Sequence, residues 1–220
     1  MSRSARYDAV LFDLLTALLD SWTVWNDVAG DPRTGRLWRN KYLEITYGQG
    51  SYRDYETLVA DAAEALHLDR GLAAGLSARW AELQPWTEAP DVLTELASAG
   101  VKLGVVTNCS EHLGHLAASR LTVPLDVIVT AETAGAYKPQ PAPYVLALQQ
   151  LGLEPHRVLF VAGSRYDIAG AGNAGMPVWW HNRVHMAGGT EPAPVAEHDT
   201  LYPLVGDVLE AASDLRRLAR

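Results

Sequence analysis

The sequence predicts an α/β protein in which helices cover both faces of a mostly parallel sheet and a helical unit is inserted after the first strand. Three observations predict it. Short apolar runs at residues 7–13, 101–106, 127–129, 158–161 and 176–181 are separated, from Asp91 onward, by helical patterns, and repeated strand-then-helix order builds a parallel sheet. Residues 21–87 carry helical patterns and no convincing strand. Asp13, Thr107 with Asn108, Lys138, and Ser164 with Asp167 all follow predicted strands, at the edge where open α/β sheets hold their ligands.

Composition sets the class. A chain of 220 residues with 48% hydrophobic and 20% charged residues can bury a sizeable core. Its net charge of -8 argues against nucleic acid or an anionic membrane as a partner. The single cysteine, Cys109, excludes an intrachain disulfide framework and any cysteine-cluster metal site. Its default reading is a buried, inert thiol. The polar start Met1–Arg6 does not resemble a signal peptide, and no apolar run is long enough to span a bilayer; a cytoplasmic protein is expected.

The first strand is the apolar run ending at Asp13, continuing through Leu14, Leu15, Thr16 and Ala17 to Asp20. Asp20 and Ser21 offer an N-cap for a helix through Trp22, Trp25 and Val28, and the Gly/Pro-bearing stretch 30–35 breaks it. Three- and four-residue apolar spacing marks a second helix over about 36–47, with Arg39 and Asn40 set among Leu37, Trp38, Tyr42 and Ile45. Further helices are expected at about 52–66 and 72–83. Beyond Pro90 come a helix ending near Gly100, the strand 101–106, a helix through Leu113 and Leu116, and the strand 127–129. A polar loop, 134–143, surrounds Lys138, and a helix follows over 144–151. After the strand 158–161, the Gly/Ala-rich run 169–175 fits a closely packed helix. A last strand, 176–181, a loop at 187–194 and a terminal helix at 205–218 complete the chain. Trp179 and Trp180 are expected to pack a strand, and His112, His115, His181, His185 and His198 form no metal-ligand pattern.

These residues permit a definite chemistry. Asp13 is a candidate nucleophile, which Lys138 would keep ionised. Backbone N–H groups after Asp13, with Thr107 and Asn108, are candidates to hold developing negative charge. Asp167 would orient Lys138 or a hydrolytic water.

The stretches Phe12-Asp13 through Asp20, Val106-Thr107-Asn108-Cys109-Ser110, Tyr137-Lys138-Pro139-Gln140-Pro141 and Val161-Ala162-Gly163-Ser164-Arg165-Tyr166-Asp167 resemble the four motifs of the haloacid dehalogenase superfamily. That resemblance implies a Rossmann-like core over residues 1–20 and 88–220, with a helical cap over 21–87. Leu37-Trp38-Arg39-Asn40-Lys41-Tyr42-Leu43-Glu44 is similar to the cap helix of L-2-haloacid dehalogenases, in which the arginine contacts substrate and stabilises the departing halide. It implies catalytic roles for Asp13, Arg39, Thr107, Asn108, Lys138, Tyr144, Ser164 and Asp167, and a substrate pocket lined by Leu14, Leu15, Asn40, Leu43 and Tyr166. The implied partner is a small 2-substituted carboxylic acid, with no cofactor and no metal; dimers are common in the family.

Two departures bear on the reaction. Phosphatases of the superfamily have a general-acid Asp where this chain has Leu15, and an acidic Mg2+ ligand where it has Gly163. Leu15 cannot protonate a leaving alkoxide, whereas halide leaves without a proton. The expected reaction is therefore metal-independent attack by Asp13 on C2 of an (S)-2-haloacid, followed by hydrolysis of the aspartyl ester to a 2-hydroxy acid. Relative to ordinary dehalogenases, Leu15 replaces an aromatic residue, Thr16-Ala17 replaces Gly-Thr, Ala162 with Ser164 replaces a more polar arrangement, and Tyr166 stands for a frequent tryptophan. Three alternatives stay open: ring-opening hydrolysis of L-azetidine-2-carboxylate, a phosphatase, and a noncatalytic binding or interaction protein.

Overall fold

A computed structural model describes residues 4–188 and 191–210. Two strands open the chain: β1 (Ser4–Ala5) and β2 (Ala9–Phe12). Alternation between β-strands and helices then generates β3 (Lys102–Thr107), β4 (Val127–Thr130), β5 (Val158–Ala162), β6 (Val178–His181) and β7 (Ala196–His198). These five and β2 form one sheet in the order β4-β3-β2-β5-β6-β7, and every pair in it is parallel. β2 is fully buried between β3 and β5. Strand order reverses there, so the crevice beyond the end of β2 is the topological switch point. A separate antiparallel pair joins β1 to β8 (Leu209–Glu210).

Between β2 and β3 lie five α-helices. The first four are α1 (Ser21–Ala29), α2 (Pro32–Gln49), α3 (Tyr55–Glu64) and α4 (Leu72–Ala78). Their shared interior is aromatic: Trp25, Trp38, Tyr42, Tyr55 and Trp80 are all buried, and Trp25 meets Trp38 at a centroid distance of 4.5 Å. Cutting one such ring to Ala typically costs about 3–5 kcal/mol. Polar contacts also tie the block to the helix at Glu111–Ala118 and join its two connecting segments. Trp80 Nε1 donates to the Leu113 carbonyl at 2.9 Å, the Asp20 amide to Gln84 at 2.8 Å and the Trp86 amide to Leu18 at 2.9 Å.

The remaining helices are α5 (Ala89–Ser98), α6 (Glu111–Ala118), α7 (Ala131–Ala134), α8 (Pro141–Leu151), α9 (Arg165–Asn173) and α10 (Tyr202–Val208). Among the described residues no helix is long and apolar enough to cross a membrane.

Several boundaries differ from the sequence reading. The second helix begins at Pro32 rather than Arg36, because Asp31 caps it by accepting from the Arg33 and Thr34 amides and proline is preorganised for the first helical position. Gly35 therefore lies inside α2. The fourth helix stops at Ala78 and continues only as a 3-10 turn over Trp80–Glu82. Helix α8 starts at Pro141, inside the expected loop. The last strand begins at Val178 rather than Met176. Strand β7 was not expected, and the terminal helix ends at Val208; residues 211–218 of that expectation lie outside the described residues.

Candidate active site

Asp13 follows β2 directly and caps a five-residue π-turn, Leu14–Leu18, closed by the Leu19 amide donating to the Leu14 carbonyl at 3.0 Å. Its Oδ2 accepts from the Thr16 amide at 2.8 Å, the Thr16 hydroxyl at 2.5 Å and the Ala17 amide at 3.3 Å. Its Oδ1 accepts from Lys138 Nζ at 2.8 Å. Burial opposes ionisation here, but the Lys138 ammonium and the Thr16 donors outweigh it and hold the Asp13 carboxyl below its ordinary range. The result is a fixed, charged carboxylate at the sheet's edge.

Thr16, which stands where the usual pair has glycine, thus contributes its hydroxyl as well as its amide to the carboxylate. Gly163 makes this geometry possible. A Cβ at position 163 would come within 2.2 Å of Thr16 Oγ1 and 2.4 Å of the Ala17 nitrogen.

Lys138 is almost wholly buried between two carboxylates, Asp13 at 2.8 Å and Asp167 at 3.1 Å. Burial alone would depress the ammonium's pKa, yet the two acids raise it above its ordinary value. The Asn108 side chain clamps the lysine's backbone: its Oδ1 accepts from the Lys138 amide at 2.8 Å and its Nδ2 donates to the Lys138 carbonyl at 3.1 Å. Asn108 borders the pocket, but its amide is already occupied in holding Lys138, where the sequence suggested a direct hold on developing charge.

Asp167, in the first turn of α9, is pushed up to about 6 by burial and by Asp13, against the pull of Lys138. Tyr144 donates to its Oδ1 at 3.3 Å. Tyr144 therefore stands behind Asp167 and outside the pocket wall. Ser164 caps α9 through the Tyr166 amide at 3.4 Å and faces the pocket.

From the helical block, Arg39 on α2 enters from the opposite side. Only 4% exposed, its guanidinium lies 4.0 Å from the Trp22 ring centre, and its buried Nη1 has no hydrogen-bond partner among the described residues. Burial lowers its pKa to about 10, which leaves it charged at neutral pH. A desolvated cation without an acceptor is a receptor for an anion.

The pocket brings together Asp13, Leu15, Arg39, Leu43, Asn108, Lys138, Ser164 and Asp167 of the expected residues. It leaves out five others, Tyr144 behind Asp167 among them. Leu14 is buried in the core, and Thr107 ends β3 with its hydroxyl 3.5 Å from Cys109 Sγ. Asn40 and Tyr166 border an adjoining cavity. Thr16, Trp22, Tyr42, Tyr47, Gly163 and Met186 complete the wall and were not anticipated as pocket residues. Tyr47 carried a signal, since 39, 43 and 47 repeat at four-residue spacing along α2. Its ring stacks on Tyr166 at 4.1 Å. The Tyr42 hydroxyl donates to the Asn108 carbonyl at 2.6 Å, tying α2 to the end of β3. Met186 sits in a loop after β6 and carried no signal.

Comparison with known proteins agrees with this geometry. Residues 10–181 match the family model described as haloacid dehalogenase-like hydrolase. An (S)-2-haloacid dehalogenase of Pseudomonas putida is 31% identical over 197 residues, covering 81% of this chain and 86% of the relative. One from Pseudomonas sp. (strain YL) is 32% identical over 190 residues, covering 79% and 82%. A crystal structure of a dehalogenase superposes with a TM-score of 0.82 at 26% identity, covering 94% of this chain and 99% of that one. With the family model spanning most of the sheet and the whole helical insertion, the chain belongs to the haloacid dehalogenase-like hydrolases.

Proposed function

We propose that this protein is a hydrolytic dehalogenase that converts (S)-2-haloacids to 2-hydroxy acids. The observation that carries the reading is the pairing of a lysine-held carboxylate, Asp13, with a buried guanidinium, Arg39, whose Nη1 has no partner among the described residues, across one small pocket. Asp13 attacks C2 of the acid in line with the carbon–halogen bond, the halide departs with the bonding electrons toward Arg39, and an aspartyl ester remains. Water adds to the Asp13 carbonyl carbon as one of its protons passes to Asp167, and the ester C–O bond breaks. The departing alkoxide takes the water's other proton, the hydroxy acid is released, Asp13 is restored as a carboxylate and Asp167 returns its proton to solvent. Ser164 and Asp167 both line the pocket beside Asp13, which supports this role for them, and Lys138 offsets the charge of both acids.

The residues present do not fit a catalytic Mg2+. Lys138 already neutralises Asp13 and Asp167. An acidic ligand at position 163 would collide with Thr16 and the Ala17 backbone. The same crowding, with Leu15 in place of a general acid, weighs against a phosphatase. A cytoplasmic setting is supported by the free thiol of Cys109.

The test is turnover of (S)- and (R)-2-chloropropionate in the presence of a chelator, beside L-azetidine-2-carboxylate and an aryl phosphate. Halide release from the S acid, lowered at least about 10⁴-fold in Asp13→Asn, is the expected result. Hydrolysis of the phosphate alone, or ring opening alone, would replace the reading, and binding without any product would make the protein a receptor.

A further inference from the structure

The pocket that holds Asp13 and Arg39 is small, about 40 Å³ in volume. It is far smaller than the spaces around it, which suits a short acid. Two larger cavities adjoin it. One, of about 580 Å³, shares Leu43 and Met186 with the inner pocket and continues to Leu66, Arg165 and Tyr166. The other, of about 220 Å³, shares Trp22 and Met186. Met186 is the one lining residue common to all three.

Its backbone is held while its side chain is soft. The Asn182 side chain accepts from the Met186 amide at 2.7 Å and donates to its carbonyl at 3.0 Å, and Asn182 Nδ2 also donates to Glu197 on β7 at 2.6 Å. The sheet therefore fixes the root of the residue. The thioether, half-buried and unbranched, turns about three torsions. Leu43 and Trp22, its neighbours across the two partitions, are a shorter branched chain and a bulky ring.

Building on the dehalogenase reading, we propose that Met186 is the partition that sets substrate chain length, confining the enzyme to acids of two or three carbons and closing off the cavity toward Tyr166. A longer alkyl chain at C2 has to displace the thioether to enter that cavity. Truncating Met186 joins the inner pocket to a ready-made annex of mixed lining, in which Leu43, Leu66 and the Tyr166 ring offer an apolar path to a four- to six-carbon acid while Lys41, Glu44 and Arg165 form its polar rim.

The experiment compares kcat/KM for (S)-2-chloropropionate and (S)-2-bromohexanoate in the wild type, Met186→Ala and Met186→Leu. The wild type is expected to favour the short acid. Met186→Ala should raise the long-to-short ratio by about 10–100-fold, the range that hydrophobic pockets give for methylene-sized differences, with Met186→Leu close to wild type. An unchanged ratio in Met186→Ala overturns the proposal, as does a wild type indifferent to length. Calorimetric binding of lactate and 2-hydroxyhexanoate to the same three proteins separates the two readings. If no acid releases halide, the dehalogenase reading falls. The partition is then judged by binding alone: selective gain of 2-hydroxyhexanoate binding in Met186→Ala upholds it, and equal binding across the variants rejects it.

Discussion

At the scale of single residues, the site is a balance of charge in a dry place. Lys138 is the pivot. Replacing it by Met leaves Asp13 and Asp167 facing each other without a cation, and breaking a buried pair in this way typically costs about 3–5 kcal/mol. Denaturant unfolding of Lys138→Met at neutral pH should show a loss of that order. The sign of its pH dependence follows from the acids left behind. Both carboxyls bind protons more readily once the ammonium is gone, so the deficit should shrink as pH falls. In the wild type, Asp167 already titrates near 6, above its ordinary 3.8. Its raised value adds stability that is complete below 3.8 and lost as pH rises through about 6. Activity should run the other way. In the mechanism we propose, Asp167 is the base of the ester-hydrolysis step, so kcat should fall as pH drops below about 6, and a kcat profile flat down to pH of about 4.5 would remove Asp167 from that role.

At the scale of elements, legibility depended on whether a signal was local. The apolar run before Asp13, the strands at 102–107 and 158–162 and the amphipathic face of α2 state their conformations in their own residues. Gly35 did not. In sequence it reads as part of a break, but in the fold it sits in α2 because the backbone of Asn26 on α1 passes 2.5 Å from where a Cβ would be. Close helix packing and helix termination ask for the same residue, and only the partner helix distinguishes them. Gly35→Ala should therefore destabilise the protein by about 1–3 kcal/mol through overpacking, despite alanine's higher helix propensity. A thermal midpoint equal to or above wild type would contradict the packing argument. Strand β7 was missed for a related reason: three residues, half-buried or exposed, form a strand only because β6 offers an edge.

At the scale of the whole molecule, the site exists only where the helical insertion meets the sheet. Its sheet-borne half was legible because Asp13, Ser164 and Asp167 come just after strands and Lys138 lies in the connection after β4 and α7, and the position of Arg39 was legible from its helix. Thr107 and Tyr144 were placed in the right neighbourhood, yet packing turned one toward Cys109 and set the other behind Asp167. Met186 and Trp22 reach the pocket by loop course and helix rotation, which no local pattern encodes. The claim that unites these parts is that Asp13 itself supplies the oxygen that ends up in the product. Single-turnover reaction of (S)-2-chloropropionate in heavy-oxygen water, with enzyme in excess, tests it most directly. The account predicts lactate carrying ordinary oxygen at C2 and the heavy isotope in the Asp13 carboxylate; heavy oxygen in the lactate hydroxyl after one turnover, with Asp13 unlabelled, would contradict it.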